Sequence, residues 1–194
     1  IPENYISQFG NRSFSGSIKE YIYVGEFIKR KFAISVLLAI NEVYSNEETY
    51  KLNYVGRGSE ENNIKKVVES LKIKEHVVLF GFLPRNEVQQ LLDNAECFIM
   101  ISKGEAFGLV YLEAMGRGCI TIGSKSEGID GVIEHGINGF LSEAGNEKEL
   151  ADVLRHINSL SEEERQQISQ NAITTVKEMT DYKVAANYIN AVMG

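Results

Sequence analysis

The chain has 194 residues, of which 43% are hydrophobic and 24% charged, and its formal net charge is −7. This composition is typical of a globular domain with a full core, and the negative charge argues against a nucleic-acid partner. No apolar run approaches the roughly 20 residues that span a bilayer. The two cysteines and three histidines form no metal-binding pattern, so no metal site is predicted. Cys97 and Cys119 are expected to be buried, in a reducing cytoplasmic setting.

Strand and helix signals alternate along most of the chain, after a polar lead-in. Residues 1–20 are rich in Ser, Asn and Gly, which predicts a linker or extended segment. Strands are predicted at 21–24, 51–55, 76–80, 97–101 and 119–122, with a last strand near Phe140. Helices are predicted over 31–44, 64–71, 88–95 and 109–116, with a short helical piece around Val132 and Ile133. This alternation predicts an α/β domain over residues 21–145, with a doubly wound parallel sheet.

From Asn146 to residue 194 the pattern is helical only. Asn146 with Glu149, and Ser161 with Glu164, have the spacing of helix-capping pairs. Two apolar stripes follow at helical spacing: Leu150, Val153, Leu154 and Ile157, then Ala185, Tyr188, Ile189 and Val192. We expect this tail to pack on the domain or to reach toward a neighbouring domain outside the chain.

The segment from Glu105 to Glu113 carries a carboxylate at each end of an otherwise uncharged run. The predicted helix from Leu109 to Met115 is apolar on almost every side, which indicates a buried helix. A buried carboxylate is costly unless another group pairs with it. Glu113 therefore needs a partner, and a bound ligand is one candidate.

Three turns that follow predicted strands could approach a ligand, because ligands bind beyond the carboxyl ends of strands in such sheets. They are Val55–Gly58, Ser102–Gly108 and Gly123–Gly131. The second leads into the helix at 109, whose free N–H groups can bind a phosphate. Each of the three could instead be an ordinary glycine-containing turn, an interpretation that is favoured for Gly123–Gly131 and disfavoured for Ser102–Gly108. Lys31, after the first strand, could face phosphate oxygens or lie as a solvated surface residue.

The order and spacing of these segments resemble a known family. Glu105 and Glu113 match an E-x7-E motif with a glycine-containing turn, Phe107–Leu109, inside it. Phe80–Pro84 is similar to a base-contacting segment, and Glu134–Leu141 to a segment that ends the sheet. The region from about Tyr21 to Leu141 thus resembles the Rossmann-like, nucleotide-binding C-terminal domain of GT-B glycosyltransferases, specifically the retaining group 1 (family 4) enzymes.

The resemblance implies a role for each matched residue. Glu113 would hydrogen-bond the ribose hydroxyls, and Glu105 would face the donor sugar near its reacting carbon. The N–H groups of Phe107, Gly108 and Leu109 would hold the diphosphate or the sugar, and Lys31 would stabilise the leaving diphosphate. The remaining implied contacts to the nucleotide sugar come from the turns after the second and third strands: Gly56, Arg57, Phe82 and Leu83.

The resemblance also implies partners. The donor would be a UDP- or GDP-sugar, bound without a metal cofactor. The acceptor, a glycan or lipid-linked sugar, would bind mainly to an N-terminal domain that a chain of 194 residues cannot also contain. A cytoplasmic protein is expected, with peripheral association of the full-length enzyme at the inner face of the membrane as a further expectation.

Two positions depart from the family pattern. Glu26 stands where the family has a phosphate-contacting arginine, and Gly131 stands where it often has Glu. A substitute cation would come from Lys103, Arg57 or Lys125. Because Glu26 would repel a diphosphate, a non-catalytic nucleotide-binding module is the alternative function. An epimerase of related architecture would need acid and base groups that cannot be placed in this sequence.

Overall fold

The computed structural model describes residues 12–44 and 49–179. Six strands form one sheet: β1 (Glu20–Val24), β2 (Lys51–Val55), β3 (Val77–Gly81), β4 (Cys97–Ile99), β5 (Ile120–Ser124) and β6 (Phe140–Ser142). All neighbouring pairs are parallel, and the strand order is β3-β2-β1-β4-β5-β6. This order is that of the doubly wound Rossmann fold, so the predicted fold class is confirmed.

Six α-helices accompany the sheet in the described part of the chain: α1 (Ala33–Val43), α2 (Glu61–Leu71), α3 (Arg85–Asn94), α4 (Leu109–Gly116), α5 (Glu147–Ser159) and α6 (Glu162–Glu178). A 3-10 turn, Lys29–Lys31, precedes α1. Helix α1 packs against α5, and α4 packs against α6. The two C-terminal helices therefore cover the domain instead of standing apart from it.

The local sequence explains most of these elements. The strand β1 reads EYIYV, with the β-branched and aromatic side chains that favour a pleated, buried strand, and Tyr21, Ile22 and Tyr23 are buried. The Asn146 side chain accepts a hydrogen bond from the Glu149 N–H, and Ser161 and Glu164 form a complete capping box. Both predicted caps are confirmed.

The predicted helical piece around Val132 and Ile133 is wrong. Residues 129–139 form turns, with two isolated bridges that join Asp130 to Ile133 and His135 to Gly139. Gly131 and Gly136 have φ angles of 94° and 79° there, which a right-handed helix cannot contain. The other predicted helices and strands are present, although β4 ends at Ile99 instead of residue 101.

Two predicted segments, one at each end of the chain, extend beyond the described residues. Residues 1–11 of the predicted lead-in, and the apolar stripe from Ala185 to Val192, lie outside the described residues. Within the described part of the lead-in, Phe14 and Ile18 are buried against the core. The Arg12 guanidinium donates hydrogen bonds to the backbone carbonyls of Leu92, Asp93 and Arg117. This stretch therefore packs on the domain.

Candidate active site at the carboxyl edge of the sheet

The chain reverses its direction of winding between β1 and β4, and the turns that follow these two strands meet there. A crevice at such a switch point is the usual ligand site of a doubly wound sheet. The Lys103 N–H donates to the Arg30 carbonyl at 2.8 Å. The Arg30 guanidinium donates to the carbonyls of Lys103 and Gly104, at 3.3 and 3.1 Å. These bonds hold the two turns side by side.

Lys31 and Glu105 form an ion pair across this switch point. Their side chains are only 10% and 17% exposed. Lys31 is therefore a buried residue, and its interpretation as a solvated surface lysine is wrong. The structure brings together two residues that are 74 positions apart in sequence, and both were predicted to be catalytic.

Helix α4 begins directly beside this pair. Its N-cap residue, Gly108, has a φ of 71°, a left-handed conformation that favours glycine. A Cβ at Gly108 would lie 2.8 Å from the Tyr111 ring, so a larger residue does not fit without movement. The same Cβ would lie 3.3 Å from Glu105 Cγ, so the start of α4 lies next to the ion pair. The first N–H groups of a helix have no partner within it, and they are suitable donors for an anion.

A second loop supports the Glu105 backbone. The Glu127 carboxylate accepts a hydrogen bond from the Glu105 N–H at 2.9 Å, and the Gly128 N–H donates to the Glu105 carbonyl at 3.0 Å. A Cβ at Gly128 would overlap the Ala106 carbonyl, so only glycine allows the two loops to lie this close. The loop from Gly123 to Gly131 thus belongs to the site, although Glu127 itself was not singled out by sequence.

Glu113 is 8% exposed within α4, and its partner is Arg85. One Arg85 nitrogen lies 2.6 Å from a Glu113 carboxylate oxygen, and the arginine side chain is 46% exposed. The prediction that this buried carboxylate needs a partner is confirmed. Arg85 was missed by sequence reasoning, although it directly follows the segment Phe80–Pro84 and opens α3.

A cleft of about 500 Å³ continues from the switch point toward β3. Four of the predicted nucleotide-contacting residues line it, namely Gly56, Arg57, Phe82 and Leu83. Glu26 lines the same cleft. A second cleft of about 310 Å³ lies elsewhere, between the turn at 136–137 and helices α5 and α6, and it contains none of the predicted site residues.

Three residues were candidates to replace the arginine that the family has at the position of Glu26, and they lie in different places. Lys125 forms an ion pair with Glu149 of α5, so its charge is already neutralised. Lys103 is exposed beside Arg30 at the switch point. Arg57 lines the cleft. The structure therefore leaves Lys103 and Arg57 near the site.

Two further properties concern metal ions and membranes. Among residues 12–44 and 49–179, no group of three or more His, Cys, Asp or Glu side chains is placed to hold a metal ion. Over the same residues, every helix is too short or too polar to cross a bilayer.

Comparison with known proteins assigns the family. The family model described as "Glycosyl transferases group 1" matches residues 9–175. N-acetyl-alpha-D-glucosaminyl L-malate synthase of Bacillus anthracis is 36% identical over 138 residues, which cover 71% of this chain and 35% of that protein. The human GDP-Man:Man(3)GlcNAc(2)-PP-Dol alpha-1,2-mannosyltransferase is 30% identical over 135 residues, covering 68% of this chain and 27% of the relative. The chain thus spans about a third of the length of these relatives.

Solved structures show the same fold. The C-terminal domain of the group 1 glycosyltransferase LpcC from Francisella tularensis superposes with a TM-score of 0.73 and 21% identity, covering 87% of this chain and 89% of that domain. Anabaena HepE in complex with UDP and glucose gives a TM-score of 0.76 at 21% identity, covering 90% of this chain and 48% of HepE. The chain therefore belongs to the group 1 glycosyltransferase family, and its Rossmann-like fold is that of one half of a GT-B enzyme.

Proposed function

We propose that this chain is the donor-binding half of a retaining glycosyltransferase, which transfers a sugar from a nucleoside diphosphate sugar to a glycan or glycolipid acceptor. The observation that carries the proposal is the ion pair between Lys31 and Glu105 at the switch point, directly beside the start of α4. It supplies a cation and a carboxylate at one place. Cleavage of a sugar–phosphate bond needs both, because negative charge develops on the phosphate and positive charge on the sugar.

The diphosphate is placed between Lys31 and the first turn of α4. The N–H groups of Phe107, Gly108 and Leu109 and the positive end of the helix dipole favour an anion there. A cation and dipoles that are already oriented stabilise the departing diphosphate without reorganisation. In this proposal no metal is needed, and transfer by the full-length enzyme should be insensitive to a chelator.

The ribose is placed at Glu113. This carboxylate is held by Arg85 at 2.6 Å, which fixes the direction of its second oxygen and offsets the cost of burial. A carboxylate accepts hydrogen bonds only, so two ribose hydroxyls are suitable donors. The base then extends into the cleft beside Gly56, Arg57, Phe82 and Leu83.

The donor sugar is placed beside Glu105. This carboxylate can stabilise positive charge at the reacting carbon, as glycosidase carboxylates do. Because Lys31 is bound to Glu105, a diphosphate that contacts Lys31 must share or replace that contact. Glu105 and Glu113 therefore bind opposite ends of one donor. They do not act together as an acid and base in one proton transfer.

The acceptor is assigned to an N-terminal domain outside this chain. We infer that the chain alone binds a nucleotide sugar weakly and does not transfer the sugar. The full-length enzyme would work in the cytoplasm, at the inner face of the membrane when its acceptor is lipid-linked.

Calorimetric titration of the chain with UDP, GDP and their sugars tests this proposal. Binding of at least one nucleoside diphosphate is expected, and Glu113→Ala should weaken it about tenfold or more, since hydrogen bonds to charged groups contribute about 1.5–3 kcal/mol. Glu69→Ala, an exposed carboxylate near the end of α2, is the matched control. Tight binding that is insensitive to Glu113→Ala would remove the ribose assignment, and no binding at all would contradict the proposal.

A further inference from the structure

The turns after β1, β2 and β3 lie side by side and line the 500 Å³ cleft. The Gly25 N–H donates to the Val55 carbonyl at 2.9 Å, and the Phe27 N–H donates to the Arg57 carbonyl at 3.0 Å. The Gly56 N–H donates to the Gly81 carbonyl at 2.8 Å. This ladder places Glu26, Arg57 and Phe82 next to one another along the edge of the sheet.

Much of the wall of this cleft is apolar. Val24, Val55, Leu83 and Val88 line it. Phe82, also a lining residue, is 72% exposed. An exposed aromatic ring over an apolar cleft is a suitable surface on which a nucleobase can stack. The shape and walls of the cleft therefore fit a planar heterocycle.

Among the described residues that line the cleft, Glu26 and Arg57 are the two charged ones. Both are exposed, and neither belongs to an ion pair of the described residues. The Arg57 guanidinium leans toward the end of β3, since a Cβ at Gly81 would lie 3.3 Å from its Nε. The cleft thus offers a ligand one group that only accepts hydrogen bonds and one that only donates them.

Among the nucleobases, guanine matches this arrangement. Its N1–H and N2–H2 are two adjacent donors, which one carboxylate can accept together, and its neighbouring O6 and N7 are the acceptors that arginine contacts in pairs. Uracil instead presents a single N–H between two carbonyl oxygens, so a carboxylate that reaches it also faces an acceptor. Cytosine and adenine likewise have an acceptor beside their amino group.

We propose that this cleft selects guanine, with Glu26 as the acceptor for N1–H and N2–H2 and Arg57 as the donor to O6 and N7, so that the donor substrate is a guanosine diphosphate sugar. This inference rests on the proposed function, because it concerns the base end of the same site. Glu26 then binds the base as a hydrogen-bond acceptor, whereas the same anion placed against the diphosphate would repel it.

The test compares GDP with UDP, and guanosine with uridine, by calorimetric titration of the 194-residue chain. GDP should bind about tenfold or more tightly than UDP, since a bidentate contact discriminates between bases by about 1–3 kcal/mol. Glu26→Gln should lower the affinity for GDP about tenfold and leave that for UDP within about twofold. Glu69→Gln should change neither.

The outcomes separate this inference from the proposed function. If UDP binds more tightly than GDP, guanine selectivity is overturned while nucleotide binding stands. If Glu26→Gln strengthens GDP and UDP equally, Glu26 acts only as an anion near the diphosphate, and the inference is again overturned. If neither nucleotide binds, both proposals fail. Since each variant is judged by a ratio of two ligands on one sample, partial unfolding does not imitate the expected result.

Discussion

Lys31 and Glu105 neutralise each other in their ion pair, and this contact governs how a diphosphate can bind. Both side chains are largely buried, so solvent screens their interaction only in part. A diphosphate that reaches Lys31 also meets the negative charge of Glu105. The lysine therefore attracts the ligand, while the carboxylate opposes free nucleotide and becomes favourable only when a sugar carbon develops positive charge.

Substitutions of this pair should have opposite effects on the binding of a nucleoside diphosphate. Lys31→Gln should weaken it about fivefold, whereas Glu105→Gln should strengthen it a few-fold, as expected for the loss or gain of about 1 kcal/mol of charge interaction. Titration calorimetry at low and high salt measures both effects, and the difference should shrink as salt rises. Equal weakening by the two substitutions would show that the pair is needed only to hold the fold.

Gly108 is the position where a single methyl group should disturb the site most directly. Alanine there would adopt a left-handed conformation, which costs about 1–2 kcal/mol, and would also contact the Tyr111 ring at 2.8 Å. Gly104→Ala is the matched control, because Gly104 has a similar φ of 69° with no atom within 4 Å of the added Cβ.

Urea denaturation of the two variants separates backbone strain from overlap. Gly108→Ala should lower the free energy of unfolding by about 1–3 kcal/mol more than Gly104→Ala, the usual cost of overpacking. It should also weaken nucleotide binding at the start of α4. Equal losses of stability would show that the ring moves aside without cost.

At the scale of elements, the strands and helices follow from local sequence wherever one pattern dominates. Helix α4 spans Leu109–Gly116 as predicted, because an apolar run begins directly after a glycine and ends before Gly118. The turns at 129–139 were predicted wrongly, since the apolar Val132 and Ile133 outweighed the glycines around them. Glycine placement was the better guide there.

Two contacts of the candidate site could not be predicted from the sequence. The apolar surroundings of Glu113 predict that this residue needs a partner. They do not predict that the partner is Arg85, 28 residues earlier in the sequence. The same holds for the bond between the Glu105 N–H and Glu127. Each contact joins residues that follow different strands, so both depend on strand order, which local periodicity does not determine.

At the scale of the whole molecule, the core contains buried thiols and phenols that are neutral at pH 7. Burial raises the pKa of the Cys119 thiol to about 11 and raises that of Cys97 well above its usual value. Burial also raises the phenol pKa values of five tyrosines: Tyr21, Tyr23, Tyr50, Tyr54 and Tyr111. In the unfolded chain these thiols and phenols ionise from about pH 8.5 and 10.

Alkaline pH should therefore destabilise the fold. A folded-state pKa above the unfolded value contributes stability that is complete below the unfolded pKa and is lost as pH rises through the folded pKa. The free energy of unfolding should be steady near pH 8 and fall progressively from about pH 9 toward pH 11. Urea midpoints across this range measure it, and a flat profile to pH 10.5 would contradict the described burial.

A nucleoside diphosphate is expected to bind along the carboxyl edge of the sheet, from the start of α4 to the turn after β3. Backbone amide chemical shifts of the isotope-labelled chain, recorded during titration with GDP and with UDP, test this most directly. The largest changes should fall at Phe107–Leu109, at Gly56–Arg57 and at Phe82–Leu83. Changes confined to Gly136, Ile137 and the facing residues of α6, where the second cleft lies, would contradict the account.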